Sequence, residues 1–193
     1  MNIRRQGSRP SVFISYYHHR DQDYYSQFRH TFVERLQLVD DYSLQKPIDS
    51  DDPAYTLYRI GEEHIAYCDC LFVLCGAKTY QRPWIDWEIR LALDLGKAVV
   101  AVKLPGYQSA QLPSRLLDNL KSGYAMQVSW HLLVAYPPVI ADVIARATSR
   151  PASLIRNERP IMRNRGDHWE WPLGEKYPYW TQISGAPGGC LCR

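Results

Sequence analysis

The segment from Asp69 to Lys103, DCLFVLCGAKTYQRPWIDWEIRLALDLGKAVVAVK, constrains the fold more than any other part of the chain. Leu71-Phe72-Val73-Leu74-Cys75 is an apolar, β-prone run closed by Gly76, the pattern of a strand covered on both faces. Pro83 suits the first turn of a helix, where its missing N–H removes no intrahelical bond. Ile85, Ile89, Ala92 and Leu93 recur at helical spacing, and Gly96 ends the helix. Ala98 to Val102 reads as the next strand. A strand, a crossover helix and a strand of this size pair in parallel. Within that helix Glu88 follows Trp84 by one turn and shares its face. Nothing in the packing of the unit requires a carboxylate there, which makes the pair a candidate for chemistry.

The same alternation extends to both sides. Ser11-Val12-Phe13-Ile14-Ser15 is a short apolar strand, followed by a polar loop, Tyr16 to Asp21. Asp21 is placed to cap a helix whose apolar stripe is Tyr25, Phe28, Phe32, Leu36 and Val39. Residues 40–53 read as loop, with a short edge strand around Tyr42 to Leu44. Asp52-Pro53 introduces a helix through about Tyr67, with Leu57, Ile60, His64 and Ile65 inward. Beyond Lys103 the sequence predicts a Pro/Gly loop with a helical turn at Ser114 to Leu120. A last strand at Tyr124 to Trp130 and a helix at Pro138 to Thr148 follow. Strands alternating with helices argue for an α/β fold, an open, mostly parallel, flavodoxin-like sheet flanked by helices. From about Ser149 the pattern gives way to Arg, Asn, Gly and Pro. Trp169, Trp171, Tyr177, Tyr179 and Trp180 are too many aromatics for a free tail. The division that follows is a disordered 1–10, a domain at 11–148, and an irregular aromatic-rich C-terminal extension at 149–193.

Size and charge narrow the function. The chain has 193 residues, enough for one domain with an appendage, and a formal charge of +3. Basic residues cluster only mildly, at Arg4-Arg5 and from Arg146 to Arg165, which reads as solvated surface and gives no nucleic-acid partner. No apolar leader and no stretch of transmembrane length is present, so no membrane partner is expected. Cys68, Cys70 and Cys75 lie in or beside the buried strand, and free core thiols suit a cytoplasmic protein. Cys190 and Cys192 match no zinc or redox spacing. Neither G-x-G-x-x-G nor G-x-x-x-x-G-K-[ST] occurs, which argues against a dehydrogenase or a P-loop NTPase. Asp49, Asp51 and Asp52 lack the glycine and terminal glutamate of an EF-hand and read as turn and cap residues. His18-His19 beside Asp21 suggests a metal or a base, but adjacent side chains diverge and no third ligand is evident. They read as loop residues in reach of a phosphate or ribose. Tyr16 and Tyr17 are candidate stacking surfaces for a purine. For Glu88 the plain alternative is a solvated helix residue pairing with Arg82, Arg90 or Lys97.

Two stretches, VFISYYHHRDQDYYSQFR and CDCLFVLCGAKTYQRPWIDWEIRLALDLGKAVVAVKL, resemble the TIR-like proteins of bacterial Thoeris anti-phage defence, the ThsB group. The likeness rests on the order and spacing of several pieces. These are the opening strand with Phe-Ile-Ser, the Asp-then-aromatic helix start, the apolar strand before a W-x-x-x-E helix, and the closing Gly-Lys. It covers residues 11–105 and extends toward 148. The resemblance implies a TIR-like fold and an NAD glycohydrolase or ADP-ribosyl cyclase-like activity. NAD is then substrate, with no separate cofactor and no metal. The product implied is an ADP-ribose-derived signalling nucleotide, such as a cyclic ADP-ribose, that diffuses to a separate effector. The W-x-x-x-E match carries the catalytic role to Glu88. Substrate contacts are implied for the loop after the first strand, with Ser15, Tyr16, His18 and Asp21, and for the region Pro47 to Asp52, with Asp49. Trp84 reads as a wall of the pocket or a core piece rather than a reacting group. The aromatic extension favours a homo-oligomer. Two other readings stay open: a non-catalytic TIR-type scaffold, and a sensor that binds a nucleotide without turning it over.

Overall fold

The computed structural model describes residues 9–44 and 53–162. The Pro47 to Asp52 region with Asp49, most of the expected disordered N-terminus, the aromatic cluster from Trp169 to Trp180, and Cys190 and Cys192 all lie outside the described residues.

Five parallel strands form one sheet: β1 (Ser11–Ser15), β2 (Asp40–Asp41), β3 (Cys70–Cys75), β4 (Ala98–Lys103) and β5 (Met126–Ser129), in the spatial order β2-β1-β3-β4-β5. The chain runs from β1 outward to β2, then crosses back to place β3 on the other side of β1. The direction of winding therefore reverses between β1 and β3, and open α/β sheets bind ligands in the crevice beyond the carboxyl ends of such a pair. The register aligns Val12 with Cys70 and Ser15 with Val73, so the two strands end close together.

Every residue of β3 and β4 is buried, as the unbroken apolar runs require. Alternate side chains serve the two faces. Val12, Ile14, Cys70, Phe72, Leu74, Val100 and Val102 join one core cluster with Tyr25 and Phe28 of α1 (His18–Phe28) and Ile140, Val143 and Ile144 of α6 (Val139–Thr148). Phe72 meets Phe28 with ring centroids 5.9 Å apart. The opposite face carries α3 (Pro83–Asp94), which buries Ile85, Ile89, Ala92 and Leu93 as the periodicity predicts. Helices α2 (Pro53–Glu63) and α4 (Ser114–Lys121) flank it. Helix α3 stops at Leu95, and Gly96 at φ +64° takes the left-handed conformation that reverses the chain into β4.

The boundaries differ from expectation where no side chain marks them. Tyr16 to Asp21 is mostly helix: α1 begins at His18 with Tyr17 as its uncapped N-terminal residue, and Asp21 sits in the first turn rather than at the cap. The helix continues as a π-helical segment, Arg29–Arg35, which leaves Leu36 exposed while Val39 stays buried. The edge strand lies at Asp40–Asp41, not at 42–44, because Pro10 and Val12 carbonyls accept from the Asp40 and Tyr42 amides. Helix α2 ends at Glu63, and a separate 3-10 turn, Ile65–Tyr67, leads into β3. Trp130 opens α5 (Trp130–Ala135) instead of closing β5, since the Ser129 hydroxyl accepts from the Leu132 amide at 3.2 Å. After α6 the chain runs irregularly, with a 3-10 turn at Ala152–Leu154, and binds back onto α3 and α4.

Candidate functional site

Beyond the ends of β1 and β3 the sheet delivers Ser15 and Tyr16 from one strand and Gly76 from the other. Helix α3 places Glu88 beside them. Ser15 is buried, and its hydroxyl has no hydrogen-bond partner. Glu88 is half-buried. Loss of water raises its pKa to about 7, with the nearby Ser15 hydroxyl opposing that rise without closing a bond of ordinary length. The three cations that might have paired with it are engaged elsewhere. Arg90 pairs with Asp94, Lys97 donates to the Ala66 carbonyl at 2.6 Å, and the Arg82 guanidinium lies 3.9 Å from the centre of the Tyr17 ring. Glu88 is therefore not the solvated, ion-paired helix residue of the plain alternative.

Tyr16 is buried in the same neighbourhood. Its ring stacks on Tyr25 at 4.5 Å, flanks His18 at 4.2 Å, and its hydroxyl bonds Gln22 Oε1 at 2.9 Å. Burial pushes its pKa up to about 12. The Gln22 bond opposes that shift, and the charges of Asp41 and Glu88 add to it. The influence of Glu88 on Tyr16 ties the end of β1 to the middle of α3. His18 is exposed at the rim, and partial desolvation with the neighbouring His19 lowers its pKa. Trp84 is exposed at the start of α3, its ring edge-to-face with buried Trp87 at 4.8 Å. Its exposure rules out the core position that was the other reading of this residue.

Asp21 has a different place from the loop position expected of it. It is buried behind the site, with one carboxylate oxygen unpartnered, and packs against the backbone that closes β3. A Cβ on Gly76 would come within 2.6 Å of Asp21 Oδ1, so glycine is what lets α1 approach this turn. Burial raises the Asp21 carboxyl, opposed by the Tyr17 backbone and Arg20. The Gly76 amide donates to Thr79 Oγ1 at 2.8 Å, and that hydroxyl donates to the Leu74 carbonyl, which fixes the turn into α3.

Residues 13–109, just over half of the chain, match the family described as Thoeris protein ThsB, TIR-like domain. The chain belongs to this family. The matched range begins within β1 and takes in α1, β3, α3 and β4, hence every described residue of the candidate site in this ThsB-type TIR-like domain. Comparison with curated proteins gives no match.

Among the described residues no group of three His, Cys, Asp or Glu is arranged to hold a metal ion, and no helix is long and apolar enough to cross a membrane. The thiols of Cys68, Cys70 and Cys75 are buried, and burial raises the first and last to about 12, which leaves them unreactive.

Sequence reading missed what anchors α3. Arg115 of α4, fully buried, donates to both oxygens of Asp86 at 3.1 and 3.3 Å, and also to Asn157 Oδ1 and the Asn157, Arg159 and Pro160 carbonyls. The Met162 amide donates to Asp86 Oδ2 at 3.1 Å, and Trp87 Nε1 donates to the Met162 carbonyl at 2.9 Å. Asn119 exchanges two further bonds with the Arg156 backbone. This segment holds Asp86 and Trp87, the two residues that precede Glu88. A buried arginine on an amphipathic helix gives no distinctive pattern, and its partners lie 29 to 45 residues away.

Proposed function

We propose that this TIR-like domain cleaves the N-glycosidic bond between nicotinamide and ribose in NAD and forms an ADP-ribose-derived signalling nucleotide in Thoeris anti-phage defence. The observation that carries this reading is Glu88: a carboxylate half-withdrawn from water, without a cation, beside an unsatisfied buried hydroxyl at the sheet's ligand-binding end. Membership of the ThsB TIR-like family supports it.

The chemistry needs little else. The ring nitrogen of nicotinamide in NAD is cationic, so the glycosidic electron pair returns to it and nicotinamide leaves as a neutral molecule. Positive charge grows on the ribose, in an oxocarbenium-like transition state of the kind glycosidases stabilise with a carboxylate. Ionised Glu88, in a poorly hydrated setting, interacts with that developing charge more strongly than it would in water. The cation is then captured by water, giving ADP-ribose, or by a nucleophile within the same molecule or another, giving a cyclic or conjugated product. Trp84 walls the site and Ser15 offers a donor to the carboxylate or to a substrate hydroxyl.

The test is mass spectrometry of concentrated protein incubated with NAD, unmodified beside Glu88→Gln. Nicotinamide plus an ADP-ribose-derived species, lost in the variant, is the expected result. Absence of product from both proteins, also in lysate of infected cells, would leave a non-catalytic TIR-type module as the better description.

A further inference from the structure

We propose that Arg82, held over Tyr17, is the docking cation for the diphosphate of the dinucleotide, and that it confers preference for ligands carrying that diphosphate over phosphate-free nucleosides. This rests on the NAD reading above and assigns a part of the ligand to a residue outside the W-x-x-x-E pair.

Arg82 is half-buried, its Nε is fully enclosed without a hydrogen-bond partner, and it pairs with no carboxylate among the described residues. A guanidinium withdrawn from water in this way has unused donors and an uncompensated charge. Its position is nevertheless fixed, because its central carbon stacks 3.9 Å from the Tyr17 ring centre. Tyr17 directly follows Ser15 and Tyr16, and Arg82 directly precedes α3, so the contact bridges the two elements that build the site. Two helix N-termini meet the same contact. Tyr17 is the N-terminal residue of α1 and Arg82 that of α3, and neither helix has a side-chain cap. The positive dipole ends of both helices favour an anion, although Pro83 offers no N–H and the Tyr17 backbone already bonds the Asp21 carboxyl. The buried, unpartnered Ser15 hydroxyl stands two residues before Tyr17 and beside Glu88, and so links this contact to the carboxylate.

Arg82 precedes the first turn of α3 and its long side chain turns toward Tyr17 at the end of β1, the side from which Ser15 approaches Glu88. Six positions separate Arg82 from Glu88, about 9 Å of helix rise, enough for a ribose between a carboxylate at the glycosidic carbon and a guanidinium at the phosphates. Arginine matches a diphosphate with paired N–H donors in a way that lysine does not.

The experiment is calorimetric titration of ADP-ribose, with nicotinamide riboside as the phosphate-free control, into the unmodified protein, Arg82→Gln and Arg82→Lys, each checked by thermal melting. The expected result is at least tenfold weaker ADP-ribose binding in Arg82→Gln, a partial loss in Arg82→Lys, and unchanged binding of the control. A salt-dependent difference between unmodified protein and Arg82→Gln accompanies it. Equal ADP-ribose affinity in folded Arg82→Gln, no ADP-ribose binding by the unmodified protein, or a lowered melting temperature as the sole effect would each overturn the assignment. Nicotinamide release is scored separately: ADP-ribose binding that depends on Arg82 without any release would sink the cleavage reading and leave the anion site standing.

Discussion

Asp86 and Glu88 stand two residues apart on one helix and in opposite electrostatic surroundings. Asp86 faces α4, is 5% exposed, and meets the fork of Arg115 and the Met162 amide. Glu88 faces the ends of β1 and β3 with no cation and one unsatisfied hydroxyl nearby. On the clasp side every donor finds an acceptor, and the charge is spent on holding backbone. On the site side only the Ser15 hydroxyl opposes desolvation, and the carboxyl is held in a state that a cationic partner would relieve. The contrast teaches that burial of a carboxylate is not by itself a functional sign. Burial without a cation at the ends of the sheet marks a candidate, and the same helix shows both cases.

The comparison can be broken most forcefully from the clasp side. Arg115→Met removes the guanidinium and leaves Asp86 buried and unpaired along with several backbone carbonyls. It should cost about 3–5 kcal/mol of unfolding free energy by chemical denaturation. A loss below about 1 kcal/mol would mean that the strap and α3 do not depend on this pair.

Glu88 should respond in the opposite direction. Its carboxyl titrates near 7 in the folded protein and near 4.5 when unfolded, so the folded state holds the proton more tightly between those values. Stability linked to Glu88 is fully present below about 4.5, falls as pH rises toward about 7, and is flat at its lowest value above that. Glu88→Gln removes the burden of the buried charge and should stabilise the protein by roughly 2 kcal/mol at alkaline pH and by little in acid. A variant less stable than the parent at alkaline pH would show that Glu88 is a structural residue after all.

How much of this contrast is legible in the sequence depends on range. The β3–α3–β4 unit is legible because burial on both faces writes an unbroken apolar run, and a helix covering a sheet writes a period near 3.6. Glu88 stands out within it as a charge that the period does not need. Tyr16 to Asp21 reads as loop because Tyr17 carries no capping side chain, and Asp21 mimics a cap while serving as buried packing against Gly76. The two-residue β2 has no pattern of its own and is placed by the β1 edge. The clasp is invisible: Arg115 sits in a helix that looks amphipathic and solvated, and Asn157 in a stretch with no periodicity. Only the folded chain brings them to Asp86.

A gentler change sharpens the same comparison. Asn157 bonds the Arg90 carbonyl and Asp94 with its side-chain amide and accepts from Arg115. Asn157→Ala should cost about 1 kcal/mol, since part of the network is open to water, and should leave the Glu88 titration in place. A change in that titration equal to the change in stability would mean that the two faces of α3 are a single unit.

The central claim is that the unpaired carboxyl of Glu88 acts in its ionised form on NAD. The most direct measurement is the rate of nicotinamide release by concentrated protein at limiting NAD, followed from acid to alkaline pH for the unmodified protein and Glu88→Gln. The account predicts a rate that rises with pH, has its midpoint near 7, levels off above it, and is lost in the variant. Nicotinamide release by Glu88→Gln at the parent rate, with the same pH profile, would contradict it.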